Sequence, residues 1–573
     1  MLTDEIRRKA ESWLSGEFDQ NTKDEVQKLL DEGPEEAVID AFYRSLEFGT
    51  GGMRGIMGLG TNRVNKYTLG MATQGLSNYI LKTFPNEQCK VAIAFDCRHN
   101  SDDFARIVAD VFSANGIEVF LYESLRPTPQ LSFTIRELGC HSGIVLTASH
   151  NPPEYNGYKV YWNDGAQIVE PHDKNIIAEV EKVTTPSQVK FQGNPDLIEL
   201  IGAEMDEKFQ DACVAQSLRN AGKADLKIVF TSIHGTSIMA APQALKKAGF
   251  TQVHVVEEQA TPDGNFPTVK SPNPEEPEAL DMALKLAEKV GADIVIGTDP
   301  DADRLGVAVR DAEGNHLLLN GNQTAALLTW YLLESNRELG RLTGNEFMAS
   351  TIVTSDLILD ICKAYHTDVE VTLTGFKWIA AAIRKWEGKK KFIGGGEESY
   401  GYMIGDFVRD KDCVSATLIA CEMAAWLKSS GSSVFEALMG IYQRHGLYRE
   451  RLISIIKRGA SGAADIQEMM ARLRSNPPQT LGGIAVAFLD DVNHNTRTRL
   501  ADGSQSELGL PKSNVLQFHL ADGSKISARP SGTEPKIKFY ASVKSPWNAV
   551  LGYEEQVALA EEKIDRILKD LNV

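Results

Sequence analysis

Ser149, which directly follows a short apolar run, is the first candidate for chemistry in this sequence. Residues 147–152 read TASHNP and come after the apolar residues 144–146. A serine between a strand end and a turn-forming Asn-Pro pair exposes its hydroxyl above the edge of the sheet, as a nucleophile or phosphate carrier requires. His150 and Lys159 are candidate positive donors to phosphate oxygens. The alternative is an ordinary turn, and the hydrolase nucleophile elbow is disfavoured because G-x-S-x-G is absent here.

Three aspartates at alternate positions are the second candidate. Residues 297–304 read GTDPDADR. The three carboxylates belong to Asp299, Asp301 and Asp303. In an extended loop they share one side and offer a hard cation several oxygen ligands. An EF-hand loop needs Gly and Glu where this chain has Arg304 and Arg310. We therefore predict Mg²⁺, which accepts few protein carboxylates and completes its shell with phosphate oxygen and water. A solvated acidic loop is the alternative.

A third segment combines glycines with groups suited to sugar hydroxyls. Residues 394–401 read GGGEESYG and follow a predicted strand at residues 390–393. Glycines allow the backbone to approach a ligand, while Glu397 and Ser399 supply a carboxylate and a hydroxyl for hydrogen bonds to neighbouring sugar hydroxyls. Just upstream, the sequence TGFKW at residues 374–378 adds a cation and an aromatic face. A flexible exposed turn is the alternative.

Two further segments are candidates for holding phosphate. Residues 529–535 read RPSGTEP, so Arg529, two hydroxyls and the amides around Gly532 would cradle a phosphate dianion. A solvent-exposed turn is again the alternative. Residues 49–55 read GTGGMRG, and Arg54 stands where a dinucleotide fingerprint has its third glycine. We interpret this segment as a glycine loop that presents Arg54 to a phosphate.

The elements that must position these segments repeat one pattern: a β-branched run, a loop and a helical stretch. Strands are predicted at residues 91–95, 143–146, 227–230 and 292–296. This alternation predicts α/β domains with mainly parallel sheets, in which ligands gather at the carboxyl ends of the strands. After residue 445 the strands become shorter. They are predicted at residues 483–489, 515–520 and 536–543, before a charged helix at 554–571, and they indicate a smaller α+β domain.

The chain length and the breaks in this pattern define the predicted domains. At typical sizes of about 100–200 residues, a chain of 573 residues contains about three to five domains. The first forty or so residues have helical spacing and are predicted to form an amphipathic N-terminal extension. The predicted divisions are 1–195 with this extension and Ser149, 196–318 with the aspartates, 319–445 with Glu397, and 446–573 with Arg529.

Composition excludes several classes of function. A net charge of −18 opposes binding to nucleic acid, so an anionic ligand must meet a local positive site. No stretch reaches the roughly 18 unbroken apolar residues of a membrane span, and residues 1–10 lack a secretory apolar core. We therefore expect no membrane partner and a cytoplasmic location. The seven cysteines form no CxxC pair, which predicts reduced thiols rather than disulfides or zinc ligands.

Taken in this order, the segments resemble the α-D-phosphohexomutase superfamily over about residues 49–540, and look most like its phosphoglucomutase/phosphopentomutase branch. The resemblance implies an α/β fold with a four-domain, heart-shaped architecture. Three α/β domains with mixed, mainly parallel sheets and a C-terminal α+β domain would surround one central cleft.

The resemblance also implies roles for particular residues. Ser149 would be the phosphoserine, and Mg²⁺ would be held by one of its oxygens together with Asp299, Asp301 and Asp303. Groups assisting near the reacting phosphoryl would be Arg54, His150, Lys159 and the acid/base lysine Lys411. Substrate would be bound by Arg304, Thr374, Gly375, Lys377, Glu397, Ser399, Arg529, Ser531, Gly532 and Thr533. Glucose 1,6-bisphosphate would act as activator.

The activity implied is a phosphosugar mutase that interconverts glucose 1-phosphate and glucose 6-phosphate through a phosphoserine and a sugar bisphosphate. Family phosphoglucomutases often carry Phe after Glu-Glu-Ser, whereas this chain has Tyr400, so the choice of sugar stays open. Phosphopentomutase or phosphomannomutase activity, glucose 1,6-bisphosphate synthesis and, in a different class, non-catalytic binding of sugar phosphates remain alternatives. We expect a monomer or a homodimer.

Overall fold

The computed structural model describes residues 2–457, 462–531 and 536–572. These residues form two compact units. The first unit contains residues 2–321, 383–387 and 399–431, and the second contains residues 322–382, 388–398, 432–457, 462–531 and 536–572.

The N-terminal extension is helical, as the sequence predicts, and it consists of three helices. They are α1 (Asp4–Ser15), α2 (Gln20–Glu32) and α3 (Glu35–Phe42). Thr3 and Asp19 begin α1 and α2 as N-caps, each accepting a hydrogen bond from a backbone N–H of the first turn. The apolar faces meet around Trp13, whose ring lies 5.6 Å from those of Phe42 and Tyr67. Because Tyr67 belongs to α4 (Lys66–Thr83), the extension packs onto the helix that follows it.

A six-stranded sheet positions Ser149. Its strands are β1 (Gly52–Ile56), β2 (Lys90–Phe95), β3 (Glu118–Tyr122), β4 (Ser142–Leu146), β5 (Tyr155–Trp162) and β6 (Ile198–Ile201), in the order β1-β5-β4-β2-β3-β6. Its helices are α5 (Ser101–Ala114), α6 (Thr128–Glu137) and α7 (His172–Val180). The four strands β4, β2, β3 and β6 are parallel, and β5 pairs antiparallel with β4 on one side and with β1 on the other. The pairing of β6 with β3 places residues 198–201 in this first sheet.

A five-stranded sheet positions the aspartates. Its elements are α8 (Ala203–Val214), β7 (Lys227–Thr231), α9 (Ala241–Lys247), β8 (Gln252–Val255), α10 (Asp281–Val290), β9 (Ile294–Thr298), β10 (Leu305–Arg310) and β11 (His316–Leu319). The order is β11-β10-β9-β7-β8, with β7, β8 and β9 parallel. Strand β9 begins two residues later than predicted and extends to Thr298, directly before Asp299.

A third sheet contains parallel strands in the order β13-β12-β14. The elements of this part of the chain are α11 (Gly321–Glu338), β12 (Glu346–Thr351), α12 (Leu357–Ala364), β13 (Asp368–Thr372), α13 (Phe376–Trp386), β14 (Lys391–Gly396), β15 (Tyr402–Ile404) and α14 (Cys413–Ser429). Because β12, β13 and β14 are parallel, Thr374 and Glu397 follow strands at the same edge of this sheet.

The C-terminal part is α+β, as predicted. Its elements are α15 (Val434–His445), β16 (Leu447–Ile456), α16 (Gly462–Ser475), β17 (Thr480–Leu481), β18 (Ile484–Asp491), β19 (Thr496–Arg499), β20 (Gln505–Glu507), β21 (Leu516–Leu520), β22 (Lys525–Pro530), β23 (Lys536–Ser545) and α17 (Tyr553–Leu571). The sheet is antiparallel in the order β16-β23-β22-β21-β18-β19-β20, and β17 pairs with β18.

Two expectations about the whole chain can be compared with the structure. The seven cysteines are free thiols, as predicted. Within residues 2–457, 462–531 and 536–572, no helix combines the length and apolar character needed to cross a membrane.

Candidate active site

Ser149 lies in a strained loop at the carboxyl end of β4. It is only 4% exposed, and its φ of +52° lies in the left-handed region. The hydroxyl of Thr147 accepts a hydrogen bond from the Ser149 N–H at 2.9 Å. A left-handed conformation costs a non-glycine residue about 1–2 kcal/mol and persists only where the surroundings hold it. The fold therefore fixes the direction of this serine, as the sequence pattern suggests for a nucleophile.

The hydroxyl of Ser149 faces a carboxylate and an imidazole. It donates to Oδ2 of Asp299 at 2.9 Å and lies 3.1 Å from Nδ1 of His150. Burial, followed by the positive charges of Arg304 and Arg54, lowers the pKa of His150 to about 3. With this pKa the ring is neutral at pH 7 in this structure, and the positively charged donor expected at His150 stays a prediction. The two arginines supply the positive charge instead.

The three aspartates follow β9 as predicted and are each no more than 2% exposed. One oxygen from each lies within 4.8 Å of the others. Two lysines neutralise them. The ammonium of Lys159 lies 2.5 Å from Oδ2 of Asp301 and 3.2 Å from Oδ2 of Asp303. The ammonium of Lys411 lies 2.8 Å from the same Asp303 oxygen. Lys159 and Lys411, expected near the reacting phosphoryl group, thus contact the predicted metal ligands directly.

The remaining oxygens of these aspartates fit a divalent cation. Oδ1 of Asp301 and Oδ1 of Asp303 are buried and have no hydrogen-bond partner among the described residues. Burial and then the charges of Asp303 and Asp301 raise the pKa of Asp299 well above its ordinary value. Burial also raises the pKa of Asp303, but the positive charges of Lys159, Lys411 and Arg304 outweigh it and hold this pKa well below the usual range. Unpaired carboxylate oxygens in a buried cluster are what a hard cation such as Mg²⁺ requires.

Two loops that the sequence did not single out hold the aspartate loop in place. Thr128, at the start of α6, donates from its hydroxyl to Oδ2 of Asp301 at 3.0 Å and from its N–H to the Asp301 carbonyl at 2.9 Å. Thr236, after β7, donates from N–H and hydroxyl to the Pro300 carbonyl, each at 2.8 Å. Both residues follow strands at the carboxyl edge, which is the signal that could have found them.

Two arginines complete the positive surroundings. Of the predicted glycine loop at residues 49–55, residues 49–51 form a turn, whereas Arg54 itself lies in strand β1 opposite Gly157. The extended strand directs its exposed side chain outward, and the guanidinium donates to Oδ1 of Asn151 at 3.2 Å. Arg304 pairs with Glu275. The first unit therefore brings together Arg54, Ser149, His150, Lys159, Asp299, Asp301, Asp303, Arg304 and Lys411.

Asp412, the neighbour of Lys411 in the chain, carries a buried carboxylate at the start of α14. Asp412 is the N-cap of α14, accepting from the Val414 N–H at 2.8 Å, and burial raises its pKa to about 6. A raised pKa means that folding disfavours the ionised form, so stability is lost as pH rises from about 4 through 6. We expect Asp412→Asn to remove this loss, about 3 kcal/mol at roughly 1.4 kcal/mol per pKa unit.

Urea unfolding of the wild type and the Asp412→Asn variant between pH 4 and pH 7 measures this difference. The variant should gain on the wild type as pH rises, because asparagine retains the cap without the buried charge. Asp311→Asn, at a half-buried aspartate in the turn between β10 and β11, is the control. A stability difference that stays constant with pH would contradict the assignment.

The second unit places Glu397 beside Gly375. Glu397 is 4% exposed, and its Oε1 accepts a hydrogen bond from the Gly375 N–H at 2.7 Å. Gly375 has a φ of +112°, which favours glycine. The hydroxyl of Thr374 is buried without a hydrogen-bond partner in the described part of the chain. Lys377 is in α13, with its ammonium 5.5 Å from the centre of the Trp378 ring.

The glycines before Glu397 have a different place from the one predicted. Gly394, Gly395 and Gly396 belong to β14, so they do not form a flexible loop. A Cβ on Gly395 would lie 2.7 Å from the Ala349 carbonyl of β12. Close approach of two strands, rather than approach of a ligand, explains that glycine. Ser399 is half-buried in the turn between β14 and β15 and belongs to the first unit.

Arg529 and a tyrosine that the sequence did not single out lie near Glu397. Burial, followed by the charge of Glu398, raises the pKa of Tyr540 to about 12. The hydrogen-bonded Arg529 lowers this pKa, and the charge of Glu397 raises it further. Arg529 and Tyr540 lie on the neighbouring strands β22 and β23. The Ser531 N–H donates to the Lys536 carbonyl at 2.7 Å. The predicted phosphate ligands Gly532 and Thr533 lie outside the described residues.

Comparison with known proteins defines the class. The sequence matches the family described as phosphoglucomutase/phosphomannomutase, alpha/beta/alpha domain I, over residues 45–187. Domains II and III of this description match residues 207–314 and 320–444. The chain belongs to this family, and so to the α-D-phosphohexomutase superfamily, which confirms the resemblance and the fold class. It is an isomerase of the intramolecular phosphotransferase type, a phosphosugar mutase.

Individual relatives agree with this class. The chain is 39% identical over 510 residues to the phosphoglucomutase of Staphylococcus aureus (strain MRSA252), covering 88% of this chain and 91% of that one. It is 37% identical over 505 residues to the phosphoglucomutase of Staphylococcus haemolyticus (strain JCSC1435), with 88% and 91% covered.

Two solved structures share the fold. A phosphoglucomutase/phosphomannomutase family protein from Burkholderia thailandensis has a TM-score of 0.66 at 19% identity, covering 92% of this chain and 97% of that one. The parafusin (phosphoglucomutase) of Paramecium, in its open form, has a TM-score of 0.67 at 19% identity, with 92% and 96% covered.

Proposed function

We propose that the protein interconverts glucose 1-phosphate and glucose 6-phosphate through a phosphorylated Ser149 and a bound glucose 1,6-bisphosphate. The observation that carries this proposal is the strained Ser149, whose hydroxyl points at Asp299 within a buried cluster of carboxylates and lysines. The choice of glucose is supported by relatives at 37–39% identity that are named phosphoglucomutase.

In the proposed reaction, the free hydroxyl oxygen of glucose 1-phosphate forms a bond to the phosphorus of phosphorylated Ser149 while the bond from phosphorus to Oγ breaks. The sugar hydroxyl releases its proton and Oγ receives one. Lys411 is proposed as the acid/base group, because its ammonium lies 2.8 Å from Asp303 and so holds a proton close to the site. Such transfers depend mainly on positioning and electrostatics.

Mg²⁺ is the proposed metal, held by Asp299, Asp301, Asp303 and an oxygen of phosphorylated Ser149. When bound, it supplies positive charge to the oxygens of the transferring phosphoryl group. Lys159 keeps Asp301 and Asp303 in place through its ammonium. The positive charges of Arg54 and Arg304 lie close enough to the site to lower the pKa of His150. We propose that these two residues orient the reacting phosphoryl group by charge-assisted hydrogen bonds.

The bisphosphate then reorients in the site. Oγ of Ser149 loses its proton and forms a bond to the other phosphorus while the bond from that phosphorus to the sugar oxygen O1 breaks. O1 receives a proton, and glucose 6-phosphate is released. We propose that Glu397 and Ser399, with Thr374, Gly375 and Lys377, hold the sugar. We also propose that Arg529, Ser531, Gly532 and Thr533 hold the phosphate that is not reacting.

A coupled assay of glucose 1-phosphate, ribose 1-phosphate and mannose 1-phosphate tests the proposal, each with Mg²⁺ and a trace of glucose 1,6-bisphosphate. Turnover of glucose 1-phosphate far above the others is the expected result. A preference for ribose 1-phosphate or mannose 1-phosphate would show that this sugar phosphate, rather than glucose 1-phosphate, is the substrate. If the folded protein turns over none of them, the proposal fails in favour of bisphosphate synthesis or a binding role.

The sugar contact can be tested with Glu397→Gln. Glutamine retains an oxygen for the Gly375 N–H but loses the charge, and a hydrogen bond to a charged group contributes about 1.5–3 kcal/mol. We expect kcat/KM for glucose 1-phosphate to fall at least about tenfold, since about 1.4 kcal/mol corresponds to a factor of ten. Steady-state kinetics measures it, with exposed Glu555→Gln in α17 of the same unit as control. Unchanged kcat/KM would remove Glu397 from the sugar site.

We further propose glucose 1,6-bisphosphate as the activator, because it can return a phosphoryl group to an enzyme that has lost it. A lag with dephosphorylated enzyme that the bisphosphate abolishes is the expected sign. A cytoplasmic location and a monomeric or homodimeric state complete the proposal. Fractionation of cells and light scattering measure these two properties.

A further inference from the structure

The buried side chain of Arg98 connects the end of β2 with the loop that carries Ser149. This side chain is completely buried. Its two terminal nitrogens donate hydrogen bonds to four main-chain carbonyls of the loop, those of Ser149 (2.7 Å), Asn151, Pro152 (2.7 Å) and Tyr155 (3.1 Å). One guanidinium therefore joins the backbone on both sides of the turn.

A buried carboxylate anchors this guanidinium. Oδ1 of Asp96 accepts hydrogen bonds from the Arg98 N–H and the Ser101 hydroxyl, both at 2.9 Å, and its Oδ2 lies 3.3 Å from Nε of Arg98. The hydroxyl of Thr147, where the Ser149 loop begins, also contacts Asp96. The buried cation thus has a carboxylate beside it and four carbonyls as hydrogen-bond acceptors, although Nε of Arg98 and Oδ2 of Asp96 form no hydrogen bond with any described residue. A guanidinium held at this many points has a defined geometry.

The same residue contacts the domain that carries the aspartates. The guanidinium of Arg98 lies 5.1 Å from the centre of the Phe266 ring. Gly264 packs so closely against residues 97–99 that a Cβ there would lie 2.7 Å from the His99 nitrogen. His99 Nε2 is also 2.8 Å from Oδ1 of Asn265. Arg98 therefore lies where the Ser149 loop and the loop after β8 are held together.

We infer that Arg98 is a positioning residue of the phosphoryl-transfer site, holding Ser149 in the left-handed conformation that directs its hydroxyl at Asp299. The inference rests on the proposed function. Because the Ser149 carbonyl accepts a hydrogen bond from Arg98, the carbonyl points inward and the Ser149 side chain points toward the aspartates. Lysine cannot replace the arginine, because an ammonium has three donors on one atom and lacks the planar fork that reaches four carbonyls.

The test compares Arg98→Lys with Arg126→Lys. Arg126 is a matched control because it is equally buried and pairs with Asp206 at 2.6 Å, without a hydrogen bond to the Ser149 loop. Misplacement of a reacting group by about 1 Å can lower a rate about 100-fold, and we expect kcat of Arg98→Lys to fall by about this factor. KM should stay within about threefold, because the loss lies in the chemical step.

Two further readouts separate positioning from stability. The rate at which glucose 1,6-bisphosphate phosphorylates Ser149, followed by intact mass, should fall in parallel with kcat per folded molecule. Asp96→Asn, which keeps Arg98 but removes its anchor, should show a smaller loss of the same kind and serves if Arg98→Lys does not fold. Equal kcat in Arg98→Lys and Arg126→Lys, or a loss confined to KM, would overturn the inference. Absence of Ser149 phosphorylation in the wild type would instead overturn the proposed function.

Discussion

Ser149→Ala is expected to lose mutase turnover by more than about 10⁴-fold while the protein stays folded, because removal of a nucleophile eliminates the covalent route. The side chain contributes little to folding beyond its bonds to Asp299 and His150. Alanine should also leave the packing of the loop unchanged, since the loop is held through its backbone. The measurement is kcat for glucose 1-phosphate with Mg²⁺ and glucose 1,6-bisphosphate, together with circular dichroism to confirm the fold.

Ser142→Ala is the matched control for this variant. Ser142 is a buried serine at the opposite end of the same strand β4, and its hydroxyl donates to the Tyr161 carbonyl at 2.7 Å. Its loss should change stability by about 1 kcal/mol and leave kcat per folded molecule unchanged. Substantial turnover by the Ser149→Ala protein would reject the covalent route.

Asp301→Asn is expected to lower kcat at least about 100-fold and to raise the half-saturating Mg²⁺ concentration at least about tenfold. Asparagine keeps the shape and the contact with Thr128. It removes one negative charge from the metal cluster and puts an amide NH₂ in place of the unpaired Oδ1, while an oxygen stays at the position of Oδ2, which faces both Thr128 and Lys159. Loss of the charge and of one oxygen ligand weakens attraction for a divalent cation. The measurement is the dependence of kcat on Mg²⁺ concentration for wild type and variant.

The control for this prediction is Asp311→Asn, at a half-buried aspartate in the turn between β10 and β11 of the same sheet. Within the part of the chain that the structure describes, its carboxylate accepts hydrogen bonds from the backbone N–H groups of Glu313 and Asn315 and contacts no site residue. Mg²⁺ dependence should match the wild type. An Asp301→Asn enzyme with the same Mg²⁺ dependence as the wild type would exclude this carboxylate from the metal site.

The part of the site that could be predicted from the sequence is the part encoded in single loops. Ser149 and the three aspartates are each preceded by a buried strand, so their place at the carboxyl edge followed from local pattern and the α/β rule. For the segment at residues 394–401, the sequence predicted the preceding strand but not where that strand ends. Its glycines belong to β14, because strand packing and ligand approach both favour glycine and the sequence does not distinguish them.

Contacts between distant segments could not be predicted. Thr128 reaches Asp301 across 173 residues, and Arg98 reaches the Ser149 loop across 51 or more. A threonine after one strand and an arginine after another are ordinary loop residues until tertiary structure shows their partners. Tyr540 was missed for a similar reason, since it reads as a strand residue and its importance comes from the neighbouring Arg529 and Glu398. The predicted domain boundaries remain a prediction.

The charge pattern explains how an acidic chain can hold a doubly phosphorylated sugar. A net charge of −18 repels anions at long range. Within the first unit, the buried aspartates are compensated by Lys159 and Lys411, and Arg54 and Arg304 supply further positive charge nearby. Screening limits repulsion from the remote surface to about 8–10 Å at physiological salt, so these local cations dominate.

The central claim is that the phosphoryl group travels through Ser149, and a quench experiment tests it most directly. The enzyme is mixed with glucose 1,6-bisphosphate and Mg²⁺, quenched at short times, digested and mapped by mass spectrometry; glucose 1-phosphate is then added to a second portion. We predict one phosphoryl group on Ser149, formed and then lost to the sugar at least as fast as kcat. Turnover without phosphate on Ser149, or with phosphate on another residue, would contradict the account.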